Sequence, residues 1–121
     1  MNTLIILAHG SRREESNLEI KTLSEKVRIL AGVEYDAIDY AYLEVVEPSL
    51  PQAIDDCINN GSTKITVFPY FLNSGNHVKR DIPEMIKAAE DKYPDCIFKT
   101  STCIGMLEDM PKLILQQARI S

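Results

Sequence analysis

The stretch TLIILAHGS, residues 3–11, decides the fold. From Thr3 to Ala8 it is a short apolar run without polar alternation, as expected of a strand covered on both faces. A helical pattern follows almost at once, with Ile20, Leu23, Val27 and Leu30 on one face and Gly32 as its stop. Two serines have capping-box spacing for its start, Ser11 with Glu14 and Ser16 with Glu19, and both starts remain open. A buried strand that hands over directly to an amphipathic helix is the opening of a parallel α/β unit.

The same strand-then-helix alternation recurs along the chain. A strand near 37–43 leads to a helix over 51–60, where Ser49 and Gln52 can cap, Ala53, Ile54, Cys57 and Ile58 form the buried face, and Gly61 is the stop. A third strand, near 64–72, precedes a helix over 78–92 whose stripe is Ile82, Met85, Ile86 and Ala89. A fourth strand near 96–102 precedes a helix over 110–119. This alternation predicts an α/β fold, a three-layer sandwich with a four-stranded, mostly parallel sheet in the flavodoxin-like order 2-1-3-4. At 121 residues the chain is expected to be one domain, residues 1–121.

Composition narrows the function classes. With 45% hydrophobic and 26% charged residues the chain reads as an ordinary globular protein. A net charge of −5 argues against a general nucleic-acid surface. No run is long enough to span a membrane, and Met1-Asn2-Thr3 supplies no basic leader, so a cytoplasmic protein is expected. Three cysteines, Cys57, Cys96 and Cys103, without a C-x-x-C pair, read as reduced thiols. The glycine patterns that cradle dinucleotides or nucleoside triphosphates are absent.

In a parallel α/β sheet, ligands bind beyond the carboxyl ends of the strands. His9 follows the first strand, Glu44 ends the second and His77 lies in the loop after the third, so the chain's two histidines and one carboxylate are expected at one sheet edge. Two imidazoles and a carboxylate suit Fe²⁺, Co²⁺, Ni²⁺ or Zn²⁺, and three protein ligands leave coordination positions open. Taken singly, each histidine could instead be a hydrogen-bonded strand-end residue. Beside them stand Arg12 and Arg13, and Lys79 and Arg80, near helix N-termini where the dipole favours acids. An anionic ligand explains these basic pairs better than solvated surface charge does.

Three motifs, LAHGSR (7–12), YLEVVEPSL (42–50) and PYFLNSGNHVKRDIP (69–83), make the chain resemble the small, single-domain sirohydrochlorin chelatases of the CbiX type. The resemblance implies a chelatase-type α/β sandwich that inserts a divalent metal, Co²⁺ or Fe²⁺ or else Ni²⁺, into sirohydrochlorin. It implies His9 and His77 as metal-binding and catalytic residues, with Glu44 in a supporting role. It also implies a homodimer, and no tightly bound cofactor, the metal being a substrate. The acidic tetrapyrrole fits a basic rim of Arg12, Arg13, Lys79 and Arg80 and an apolar wall from Tyr70, Phe71, Leu72 and Met106; Phe71 and Leu72 read equally well as core. Ser74 and Gly75 belong to the loop that would bring His77 over the macrocycle. A non-catalytic metal- or tetrapyrrole-binding module and a histidine-phosphatase-like enzyme are the rival readings. The second lacks its arginine, because Ala8 stands before His9.

Overall fold

The computed structural model describes residues 1–120, His77 and Val78 by backbone alone. Four strands, β1 (Asn2–Ala8), β2 (Ala37–Tyr42), β3 (Lys64–Pro69) and β4 (Ile97–Thr100), form one parallel sheet in the order β2-β1-β3-β4. The 2-1-3-4 order expected from the sequence is the order observed. The most apolar strand, β1, holds a central place with a neighbour on each side, and Ile5 and Leu7 are fully buried.

Helices α2 (Leu50–Asn59) and α3 (Ile82–Lys92) cover one face of the sheet, and α1 (Glu14–Ala31) packs on the other. Ile5, Leu7, Ile65 and Val67 meet Leu50, Ala53, Ile54 and Cys57 of α2 and Ile82, Ile86 and Ala89 of α3. Each fully buried aliphatic side chain of this kind stabilises the fold by about 1.5–3 kcal/mol. The apolar stripes read from the sequence for α2 and α3 are the faces that pack, with Ile58 and Met85 partly buried at the margin. Ser49 caps α2, its hydroxyl accepting from the Gln52 amide at 3.3 Å, and Pro51 sits in the first turn, where no N–H is needed.

Several expectations are corrected. Neither Ser11 nor Ser16 caps α1; Arg13 holds that position without a side-chain cap. Ser11 is occupied otherwise, its hydroxyl accepting from the Arg13 amide and its amide donating to Asn17 Oδ1. Leu30, expected on the buried face of α1, is 87% exposed. Eighteen helical residues extend roughly 27 Å and the seven of β1 roughly 23 Å, so the last turn of α1 overhangs the sheet. The third strand stops at Pro69 instead of Leu72, because β1 beside it ends at Ala8. The third helix does not begin at Val78: residues His77–Asp81 form a single π-helical turn ahead of α3. Pro83 lacks the N–H that an α-helix would direct at the Lys79 carbonyl, and the wider turn accommodates its ring.

The last helix, α4 (Met110–Ile120), follows a short 3₁₀ turn at Ile104–Met106 and packs against that turn. None of its residues is buried. Among the described residues, no helix is long and apolar enough to cross a membrane.

Candidate metal centre and substrate cleft

His9 is the first residue beyond β1, and Glu44 lies two residues beyond β2. Because β1 and β2 are parallel neighbours with Ala8 opposite Tyr42, their exits emerge side by side. Backbone bonds then join the two loops: the Leu43 amide donates to the Ala8 carbonyl at 2.8 Å and the Glu44 amide to the His9 carbonyl at 3.1 Å. Gly10, at φ +94°, permits the closest approach, since any β-carbon there would overlap the Glu44 carbonyl oxygen. Beyond it Val45 adopts φ 75°, a left-handed conformation rare for a β-branched residue, and its turn is closed by the Val46 amide donating to the Glu44 carbonyl.

The outcome is a side-chain pair, His9 Nε2 to Glu44 Oε1 at 2.7 Å, with both side chains about half exposed at 47% and 50%. Metal–N and metal–O bonds of about 2.0–2.2 Å place cis donor atoms roughly 2.9–3.4 Å apart. The pair therefore needs to open by only a few tenths of an ångström to admit an ion between the two atoms. Phe71 packs against the His9 ring in a T-shaped arrangement, with centroids 6.2 Å apart and planes at 79°. Phe71 also packs against the main core, so both readings of it, wall and core, describe the same side chain.

His77 follows β3, the strand on the other side of β1, and its backbone opens the π-helical turn beyond that strand's carboxyl end. The imidazole itself lies outside the described residues, so the expected third ligand is placed by its backbone alone. Among the described side chains, no group of three metal-binding residues is assembled.

The basic rim is partly as expected. Arg12, Lys79 and Arg80 are exposed. Arg13 is engaged by Glu15 at 3.4 Å, and Arg80 Nε lies 3.8 Å from Asp81. The first turn of α1 carries Glu14 and Glu15, which supply the acids the dipole favours, and Lys79 and Arg80 lie in the π-helical turn rather than at the start of α3. Ser74 and Met106 line a cavity of about 620 Å³ together with Pro69, Ile82, Thr100 and Cys103. Leu72 is 72% exposed, and Tyr70 is directed toward α1, lining a groove with Leu18 and Glu19. Gly75 has open space around it.

Three positioning residues were not anticipated. Asn17 clamps the loop after β1, accepting from the Ser11 amide and donating to its carbonyl at 2.8 Å, while Tyr42 donates to the Asn17 carbonyl at 2.6 Å. Gly105 donates to the Phe71 carbonyl at 2.9 Å and approaches Leu72 so closely that a β-carbon would collide with its carbonyl. Val45 fixes the turn after Glu44. An asparagine in the first turn of a helix was a usable signal; Val45 left none.

A parallel sandwich carrying a histidine–carboxylate pair at its carboxyl edge has the architecture of a chelatase-type fold. The CbiX family model matches residues 3–121, and the chain belongs to that family. The sirohydrochlorin cobaltochelatase of Methanococcus aeolicus is 38% identical over 90 residues, covering 74% of this chain and 62% of that one. The sirohydrochlorin chelatase SirB from Bacillus subtilis subspecies spizizenii, solved in complex with cobalt, superposes with a TM-score of 0.84 at 26% identity, covering 98% of this chain and 50% of SirB. The CbiX protein of Marinobacter aquaeolei VT8 gives a TM-score of 0.79 at 28% identity, covering 99% of this chain and 91% of that one. The chain thus spans less than two thirds of the length of the cobaltochelatase and half that of SirB.

Proposed function

We propose that this chain inserts a divalent metal ion, Co²⁺ or Fe²⁺, into sirohydrochlorin or a closely related acidic tetrapyrrole. The observation that carries this reading is the half-exposed His9–Glu44 pair at 2.7 Å, beside the Phe71 ring at the mouth of the sheet. Membership of the CbiX family and the cobalt chemistry named for its relatives support the choice of reaction.

In this reading His9 and Glu44 hold the ion, with His77 as third ligand from the neighbouring strand, and open positions face the macrocycle. Insertion exchanges one divalent ion for the two pyrrole N–H protons. As the ion passes to the four ring nitrogens, His9 and Glu44 lose it and become bases, each able to take one proton. The barrier falls chiefly because a partly dehydrated ion is positioned against the ring. Arg12, Lys79 and Arg80, with Arg13 in part, face the substrate carboxylates, and Phe71 backs the ring, with Ser74 and Gly75 in the closing loop.

The working unit is one chelatase-like domain, residues 1–121, acting as a cytoplasmic homodimer without a tightly bound cofactor. The test is spectroscopic: sirohydrochlorin is mixed with protein and each metal separately, and initial rates of the visible-band shift are compared with protein-free controls. Acceleration with Co²⁺ or Fe²⁺ is expected, as is its loss in a folded His77→Ala variant. Binding of metal and macrocycle without acceleration identifies a carrier instead.

A further inference from the structure

The loops after β3 and β4 enclose a cavity that neither His9 nor Glu44 lines. Its volume of about 620 Å³ is that of a small-molecule pocket. Pro69 ends β3 and Thr100 ends β4, so the cavity lies at the same carboxyl edge of the sheet as the His9–Glu44 pair. Neighbouring strands are about 4.7–4.9 Å apart and β3 and β4 follow β1 in order. The cavity is therefore roughly 5–10 Å along that edge from the strand that presents His9.

One backbone bond ties it to the candidate site. The Gly105 amide donates to the Phe71 carbonyl at 2.9 Å, and Phe71 packs on the His9 ring. Met106, next in the same 3₁₀ turn, lines the cavity. A β-carbon on Gly105 would overlap the Leu72 carbonyl oxygen, so this turn sits directly against the loop after β3.

The lining is of two kinds. Ile82, Pro83 and Ile86 of α3, with Met106, are aliphatic. Ser74, Thr100 and Thr102 supply hydroxyls, whereas the Ser101 hydroxyl already donates to the Thr102 carbonyl at 3.3 Å. Helix α3 returns the chain from the carboxyl edge to the start of β4. Glu90, roughly 12 Å along it from Ile82, thus borders the end remote from His9. A bare anion would face hydrocarbon here, and a pure hydrocarbon would strand the hydroxyls. A group that carries a methyl and a carboxylate arm together suits both.

We infer that this cavity is a specificity subsite for the rim of the tetrapyrrole. It takes one reduced, methylated ring, the methyl packing on Pro83, Ile86 and Met106 while a carboxylate arm accepts from the Ser74, Thr100 and Thr102 hydroxyls. The inference rests on the metal-insertion reading above and adds how a methylated macrocycle is told from an unmethylated one. On a saturated ring carbon the methyl leaves the plane of the macrocycle and reaches a wall that a flat ring misses. Arg12, Lys79 and Arg80 remain for the other arms.

The test compares binding of metal-free sirohydrochlorin with that of uroporphyrin, which has carboxylate arms on flat, unmethylated rings, each followed by its own fluorescence. The wild type should prefer sirohydrochlorin about tenfold or more, the discrimination a single carbon gives in an apolar pocket. Thr102 and Met106 are exposed, so Thr102→Trp, which fills the cavity, and Met106→Asn, which removes aliphatic wall, are compatible with folding. Both should bring the ratio of the two Kd values close to one with circular dichroism unchanged. A ratio that stays at the wild-type value overturns the subsite, and failure to bind sirohydrochlorin overturns it together with the metal-insertion reading. In ¹³C-methyl spectra, sirohydrochlorin should shift the Met106 and Ile86 methyls by its ring current. Shifts confined to residues around His9 overturn the subsite and leave metal insertion standing. Co²⁺ insertion rates measured alongside decide that reading separately: the preference without acceleration supports the subsite in a carrier.

Discussion

Gly10 meets the backbone of Glu44 in a contact that only glycine can make at the first position, because the Glu44 carbonyl oxygen fills the space a β-carbon would need. Gly10→Ala must push the two loops apart and also strain a backbone at φ +94°. The expected outcome is a loss of about 1–3 kcal/mol in urea unfolding, with metal-insertion rate reduced about tenfold or more as His9 and Glu44 separate. Parallel denaturation and initial-rate measurements check both halves.

The pair itself is tested by His9→Ala and Glu44→Gln. Both side chains are about half exposed, so neither change should unfold the protein. His9→Ala is expected to lower metal insertion about 100-fold or more, and Glu44→Gln to weaken Co²⁺ binding about 10- to 100-fold, read by rate assay and calorimetric titration.

The two arginines should differ. Arg12→Glu is expected to raise KM for the acidic tetrapyrrole with a smaller change in kcat. Arg13→Glu should raise it less, because Arg13 is already engaged by Glu15. Equal effects would place Arg13 at the rim on the same footing as Arg12.

The three thiols should react in a set order. Burial, reinforced by the Asp39 carboxylate that its thiol faces at 3.3 Å, pushes Cys57 up to about 12. Cys103 is also buried, whereas Cys96 is only partly covered, its thiol raised by the same desolvation. Ellman's reagent at pH 8 should therefore titrate one thiol slowly in the native protein, and all three in denaturant.

Acid stability should depend in part on Asp55. The Tyr93 hydroxyl donates to it at 2.6 Å, and this bond, aided by Lys92, holds its carboxyl below the usual carboxylate range. A value lower in the folded than in the unfolded state stabilises above the unfolded value, and that contribution is lost as pH falls through the folded one. Asp55→Asn should flatten the decline of the urea midpoint below about pH 4, by a modest amount because the Lys92 pair is solvent-exposed.

The sheet order and two of the helix faces were legible because burial leaves β1 continuously apolar and imposes a strict period on α2 and α3. Leu30 misled, since the 3.6-residue pattern says nothing about where the sheet beneath a helix ends. Pro83 was visible, yet its effect was a wider turn rather than a simple start, a choice that depends on how the preceding loop arrives. For the site, strand ends put His9 and Glu44 at one edge, but their direct pairing depends on Gly10 and Val45, whose backbone angles no composition rule reveals. The exposure of α4 was equally invisible, because an amphipathic stripe does not say what it will cover.

The zipped backbones of the loops after β1 and β2 make 8–11 and 43–48 a single mechanical part. Anyone retuning metal preference by loop grafting should move both segments together, since either one alone would arrive without the surface that shapes it. The hydrophobic layers beneath could then stay untouched, leaving ion choice adjustable independently of the scaffold.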